Sequence, residues 1–353
     1  MKFFRSSIKD LYFFRSAIIS NFKRLTFPFK LSFAITYRCN LHCAMCNIWG
    51  KKIVDQELTL QEIASFFKEA DQFSWVGITG GEPFIRKDLP EIINIIVQYC
   101  RVLNTIHFAT NAQLNDKIAG IVEHIHNKKY KPRVIFTISI DGPPGLHDKI
   151  RGEAGAWDKA IQTFIYLKQL KSVRAQIGYT VSPRNIGRFQ DAFTTLKNVY
   201  PSLRFDDISV NIFQKSSFYY ENQNMEDLHP QEIKEEIKTI QRLDRDKISI
   251  NNFLRRNYLN LYIKYLNSKK CPLKCQALSS TCFLDPYGNL FPCAVYNRKL
   301  INVKEIHKRL KSFWISEDAR NLSYECSHNR CPGCWSPCDA YSAITGSLLK
   351  VGW

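Results

Sequence analysis

The stretch LSFAITYRCNLHCAMCN, residues 31–47, runs from a short apolar segment straight into three closely spaced thiols. Leu31–Thr36 reads as a strand, and Cys39, Cys43 and Cys46 follow its C-terminal end with the spacing C-x₃-C-x₂-C. Three thiolates within eight residues can hold three irons of a cubane cluster, which leaves the fourth iron free to bind something else. An open position marks a catalytic centre, in the way that a catalytic zinc keeps one, whereas structural zinc sites usually pair C-x₂-C knuckles. The C-terminal end of a parallel strand is also where barrel active sites lie.

Working outward, further strands are predicted at Trp75–Thr79, Leu103–Thr110, Val134–Ile140, Val173–Val181 and Arg204–Ile212. Helix-period stretches separate them, near Thr59–Asp71, Asp88–Tyr99, Asn115–His126, Ala156–Lys171 and Asn185–Val199. Thr59 with Glu62 forms a capping box for the first helix. Near-continuous apolar strands alternating with helices predict a parallel sheet of βα units. The expected fold is α/β, a partial (β/α)6 TIM-type barrel with a small cysteine-rich C-terminal domain. Residues 221–270 are polar and helix-forming, over Gln231–Arg245 and Asn251–Leu266, and read as a bridge. From Cys271 onward eight cysteines fall within 68 residues. That composition suits a domain held by metal, with too few apolar residues for a core of its own. The expected division is a basic aromatic segment at 1–30, a barrel at 31–220, a bridge at 221–270 and a cysteine-rich domain at 271–353.

Composition narrows the class. A hydrophobic content of 45% and a charged content of 23% exclude wholesale disorder. Twelve cysteines in a 353-residue chain without a clean signal peptide favour metal over disulfides. No apolar run approaches the roughly 18 residues of a spanning helix. The net charge is +18, and the first 30 residues hold seven bases, among them Lys2, Arg5, Lys9 and Arg15, against Asp10 alone. Phe3, Phe4, Phe13, Phe14 and Phe22 interleave them. Such a segment can lie on an anionic membrane surface or pack on the body with its lysines solvated. A metal-binding nucleic-acid protein would explain the charge, but it predicts neither the βα alternation nor the next motif.

That motif is Thr79-Gly80-Gly81-Glu82-Pro83, after the second strand. The glycine pair lets backbone approach a ligand closely, and Glu82 can receive an ammonium. With the cysteine triplet it resembles the radical S-adenosylmethionine (SAM) superfamily over about residues 31–215. The resemblance implies that Cys39, Cys43 and Cys46 ligate a 4Fe–4S cluster whose open iron chelates SAM, with Glu82 of the Gly80-Gly81-Glu82 motif at the SAM amine. It implies reductive cleavage of SAM to a 5′-deoxyadenosyl radical that abstracts a substrate hydrogen, and an electron donor such as flavodoxin or ferredoxin. Softer matches are Asn111 after the third strand, Ser139 after the fourth, and Arg151; the latter two correspond to family positions that reach the SAM ribose and carboxylate. Asn185 matches a ribose-side position or begins a helix. Met45 stands where the family often has an aromatic residue.

The distal cysteines resemble the SPASM and twitch extensions of that family. Cys275-x₁₂-Gly288-x₄-Cys293 is followed by Cys331-x₂-Cys334-x₃-Cys338, and a full SPASM pattern would need a further x₅ segment. This favours one auxiliary 4Fe–4S cluster on Cys275, Cys293, Cys331 and Cys334, with Cys338 as a substitute for one of them. A second cluster stays open, and Cys271, Cys282 and Cys326 are unassigned. Asp285-Pro286-Tyr287-Gly288 predicts a tight hairpin that brings Cys275 and Cys293 together, and Cys100 reads as a small buried hydrophobe. Asp206, Asp207, Asn211, Tyr219 and Tyr220 are candidates to face substrate, or plain loop residues. Two functions remain: modification of a ribosomally made peptide or protein by crosslinking, epimerisation or oxidation, or dehydrogenation or C–C bond formation on a sugar-like small molecule or membrane lipid. Either enzyme is expected in the cytoplasm, with residues 1–30 able to touch the inner membrane surface and no nucleic-acid partner.

Overall fold

The structure, a computed structural model, describes residues 8–53, 56–244, 249–305 and 309–347. Lys2, Phe3, Phe4 and Arg5 of the basic segment, and Arg245 of the bridge, lie outside the described residues.

Six parallel strands form the expected partial barrel, in the spatial order β6-β5-β4-β3-β2-β1. They are β1 (Lys30–Thr36), β2 (Trp75–Gly80), β3 (Thr105–Thr110), β4 (Arg133–Ser139), β5 (Arg174–Val181) and β6 (Ile208–Ile212). Helices α2 (Leu60–Glu69), α3 (Leu89–Tyr99), α4 (Asn115–Asn127), α6 (Ala156–Gln169) and α7 (Phe189–Val199) cross between them. The capping box is present: Thr59 N donates to Glu62 Oε2 at 2.8 Å and Glu62 N to Thr59 Oγ1 at 3.3 Å. An N-terminal helix, α1 (Ile8–Phe22), precedes β1, and the bridge holds α8 (Pro230–Leu243) and α9 (Ile250–Ser268).

Three features differ from the sequence expectation. A short helix, α5 (Pro144–Arg151), sits between β4 and α6, where no element was expected. The first residues predicted for β6 instead form a 3₁₀ turn, Phe205–Asp207, because Asp207 accepts from Arg204 N at 3.0 Å and closes the chain on itself. The cysteine-rich region is also more regular than its sequence, with α10 (Leu310–Trp314), α11 (Glu317–Ser327) and α12 (Pro337–Gly346).

The predicted hairpin joins β7 (Thr281–Leu284) to β8 (Leu290–Phe291). Asp285 Oδ1 accepts from Tyr287 N at 2.9 Å and Asn289 N at 2.7 Å, and Gly288 takes the positive φ of +86° that the turn needs. β7 pairs in parallel with β1, Lys30 opposite Thr281 through Phe33 opposite Leu284. The cysteine-rich segment is thereby sewn to the barrel edge, and Leu278, Leu284 and Leu290 share the main apolar core with Phe33 and Ile78. This is how a segment poor in apolar residues finds a core.

Candidate active site and auxiliary thiol cavity

The loop carrying Cys39, Cys43 and Cys46 leaves β1 at Thr36 and is fastened from three sides. On the first, Gly81 N donates to Thr36 O at 2.8 Å and Glu82 N to Arg38 O at 2.9 Å. A Cβ on Gly80 would lie 2.1 Å from Thr36 O, and one on Gly81 2.2 Å from Arg38 O. The close approach that this glycine pair permits is thus to the protein's own cysteine loop, where the sequence suggested a ligand. On the second side, Ala44 N donates to Ile150 O at 2.8 Å, and Gly152, at φ +69°, presses against His42 O. On the third, Asn47 N donates to Tyr220 O at 2.8 Å and Asn222 Nδ2 to Met45 O at 3.2 Å.

Glu82 is 1% exposed and accepts from Thr110 Oγ1 at 2.9 Å, Asn111 N at 2.7 Å and Phe84 N at 3.2 Å. A carboxylate offers about four acceptor sites, so room for one further donor remains. Burial raises its pKa to about 7 against the pull of these bonds. Asn111 turns its Nδ2 to Asn40 Oδ1 at 2.9 Å and lies 4.0 Å from Cys39 Sγ.

Arg151 ends α5 with Nη1 3.6 Å from Cys43 Sγ and Nη2 paired with Asp141. Its Nε is buried without a partner. A buried guanidinium with a donor to spare beside the cysteine loop suits the carboxylate of a bound ligand. Asp141 is fully buried; its Oδ1 accepts from Thr180 N at 2.8 Å and its backbone carbonyl from Asn185 Nδ2 at 2.9 Å. His147, held neutral by burial and the nearby Arg151 charge, accepts from Asp141 N at 3.0 Å. The pairing of Asp141 with Arg151 spans ten residues, a separation that matches no helix or strand period.

Ser139 ends β4, half-buried and opposite Gly178, on the same rim. Asn185 does not begin α7; its amide ties Asp141 to Thr180 and Ser182. Tyr219 is buried and its hydroxyl bonds Thr79 Oγ1 at 3.0 Å and Gly80 O at 3.2 Å, so it braces the glycine pair. Asp206 and Asp207 lie before β6, at the opposite end of the barrel, where Ser249 Oγ and Lys168 Nζ bond them. They do not face the cysteine loop.

Burial pushes the Cys39 thiol up to about 11 and Cys46 up to about 12. Both are protonated at neutral pH until iron displaces the protons. Among the described residues no three His, Cys, Asp or Glu side chains converge tightly enough for one metal ion. A cubane spreads its ligands over four irons, so a wider ring of thiols is what it requires.

Such a ring stands in the C-terminal region. Cys271, Cys275, Cys293, Cys326, Cys331 and Cys334 line one small pocket, together with Ala277, Val295, Tyr296 and Pro332. The hairpin brings Cys275 and Cys293 to it, as its turn predicts. A hydrogen bond with Cys326 lowers the Cys331 pKa. All-thiol donors in an apolar wall fit an iron–sulfur cluster. Cys338, expected as a substitute ligand, lies outside the cavity on the exposed first turn of α12, and Cys271 and Cys326 stand inside instead. Cys282 is buried within β7 and Cys100 at the end of α3, both away from the cavity.

A family model for the radical SAM superfamily matches residues 33–196. The antilisterial bacteriocin subtilosin biosynthesis protein AlbA of Bacillus subtilis is 22% identical over 319 residues, which cover 86% of this chain and 65% of that protein. The mycofactocin maturase MftC of Mycolicibacterium smegmatis is 28% identical over 189 residues, or 52% of this chain and 45% of that protein. The chain therefore spans two thirds or less of the length of these curated relatives. Among solved structures, Streptococcus suis SuiB bound to precursor peptide SuiA shares the fold with a TM-score of 0.60 at 18% identity, over 84% of this chain and 67% of that one. The matched region starts within β1 and ends within α7, so the similarity to the radical SAM superfamily takes in the cysteine loop, Glu82 and Arg151.

Proposed function

We propose that this protein reductively cleaves SAM and modifies a ribosomally made peptide or protein by crosslinking, epimerisation or oxidation. When bound, the cluster and SAM supply a 5′-deoxyadenosyl radical able to abstract a substrate hydrogen. The chain's own part is positional. Cys39, Cys43 and Cys46 hold the cluster, Arg151 offers its spare donor to the SAM carboxylate, and Glu82 offers its remaining acceptor site to the SAM amine. Asn111 and Ser139 stand on the same rim.

The observation that carries the reading is the pairing of this site with a separate six-thiol cavity that fits an auxiliary cluster. An auxiliary cluster can take up an electron left by hydrogen abstraction. Peptide as substrate is supported by two relatives named for bacteriocin biosynthesis and mycofactocin maturation, and by a fold neighbour solved with a precursor peptide. A small flavodoxin- or ferredoxin-type donor and a peripheral contact of residues 1–30 with the inner membrane surface belong to the same proposal. Among the described residues no helix is long and apolar enough to cross a membrane.

The test is anaerobic reconstitution followed by reduction with SAM. Deoxyadenosine should form, and replacing Cys39, Cys43 and Cys46 together by Ala should abolish it; continued SAM cleavage in that variant defeats the reading. Incubation with a short peptide encoded beside the gene should yield a product short of two hydrogens, or labelled from deuterated water. Unchanged peptide with turnover of a sugar or lipid would replace the substrate class.

A further inference from the structure

Helix α1 carries its apolar side outward. The residues it buries are Asp10, Ser16, Ala17 and Ser20. Asp10 accepts from Asn104 Nδ2 at 2.7 Å and from Arg133 Nη2 at 2.6 Å. Lys274 Nζ donates to Ser20 O at 3.1 Å, and Gly346 of α12 packs so tightly that a Cβ there would lie 2.2 Å from Ala17 O. These anchors fix the helix's rotation. Facing out are Ile8 (87% exposed), Leu11 (64%), Phe14 (39%), Ile18 (43%) and Phe22 (72%). Their spacing of three or four residues makes one continuous stripe. Single exposed apolar residues are ordinary, but a contiguous stripe marks an interaction surface.

The position of the stripe says what it meets. Asn104 precedes β3, Arg133 opens β4, and Phe13 packs on Trp75 at the start of β2 with ring centroids 6.0 Å apart. The helix thus lies across the N-terminal ends of the strands, opposite the Cys39 loop. The connections at that same end expose Arg101, Lys128, Lys129, Lys131, Lys171 and Arg204, while Arg15 and Lys23 are exposed on the α1 segment itself. A second copy of the chain would explain the stripe but would set these bases against one another.

We infer that the N-terminal end of the barrel is a docking surface for an anionic lipid bilayer. The α1 stripe enters the interface and the surrounding bases meet headgroup phosphates. The inference extends the peripheral contact proposed above and names its face. It also gives that contact a consequence: the rim with Glu82 and Arg151 points away from the bilayer. A peptide arriving from water reaches it directly, whereas a lipid would have to leave the membrane.

The experiment is co-sedimentation of the full chain with phosphatidylglycerol-rich and with phosphatidylcholine vesicles. Wild type should pellet with the former only, and less as salt rises. Leu11→Glu with Ile18→Glu should cut binding at least about tenfold, since each change puts a charge where an exposed apolar side chain would enter the interface. Lys128→Glu with Lys129→Glu and Lys131→Glu should do the same without touching the stripe. Both variants should keep wild-type iron content and deoxyadenosine formation, which shows that they fold. Equal pelleting of the stripe variant, no pelleting of wild type, or a light-scattering dimer that the stripe variant dissolves would each overturn the inference. Loss of SAM cleavage in wild type would defeat the proposed function and leave this result standing.

Discussion

Arg151 places Nη1 3.6 Å from Cys43 Sγ while Asp141 holds its other amine. One guanidinium therefore ties the cysteine loop to the ends of β4 and β5, and its Nε is still unpartnered. The arrangement resembles a loaded clamp, in which a carboxylate entering beside the cysteines completes the donors.

Replacing Arg151 by Lys should keep the charge and lose the fork geometry. SAM affinity should fall about ten- to a hundredfold, the value of one charge-assisted hydrogen-bond set, with cluster iron retained. Asp141→Asn should act differently. It leaves a buried cation short of its partner, which costs about 3–5 kcal/mol, so the melting temperature should drop as well. Equilibrium dialysis of SAM and thermal melts of reconstituted protein separate the two, and equal SAM affinity in Arg151→Lys would remove Arg151 from the site.

Gly81→Ala tests whether the glycine pair serves the cysteine loop. Its Cβ would meet backbone, Arg38 O at 2.2 Å, and backbone cannot swing aside as a side chain can. The loop should be displaced, so the variant should reconstitute with about 4 irons per chain in place of about 8, at four per cubane. Full iron with weakened SAM binding would instead mean that the glycine pair faces the ligand.

Glu82 predicts a pH dependence. Its folded pKa of about 7, raised by burial, exceeds an unfolded value of about 4.3. The folded state therefore holds the proton longer. This contribution to stability is complete below the unfolded pKa and is lost as pH rises through the folded one. Iron-free protein should lose on the order of 2–3 kcal/mol of unfolding free energy from this group between pH about 5 and about 8. Glu82→Gln should flatten that slope in urea titrations, and an unchanged slope would place the titration elsewhere.

The parts of this fold with a period were readable before the structure. β1 through β5 and the helices between them came from apolar alternation and helical spacing, and Thr59 with Glu62 announced its cap. What lacked a period was lost: α5 is eight residues behind two prolines, and β7 is four residues long and becomes a strand by pairing with β1. The site divides the same way. Cys39, Cys43, Cys46 and Glu82 stand in local motifs, whereas Asp141 and Asn185 matter through contacts that only the folded sheet creates. Residues 8–22 showed their charge and aromatics plainly, but which face points outward depends on Asn104, Arg133 and Gly346, far along the chain.

The thiol cavity gives the last prediction. Six cysteines line it and a cubane needs four, so a single Cys→Ala change leaves a spare thiol within reach and should keep much of the iron. Removing two together should exceed that reserve in geometry even though four thiols remain. Cys293 comes from the hairpin side and Cys334 from the loop before α12, and only Cys271, Cys275, Cys326 and Cys331 would be left. Cys293→Ala with Cys334→Ala should then lower iron from about 8 to about 4 per chain and preserve deoxyadenosine formation at the Cys39 loop. Cys338→Ala, an exposed position outside the cavity, should leave both unchanged. Iron loss from Cys338→Ala would return that residue to the ligand set, and full iron in the double variant would show that the four remaining thiols suffice.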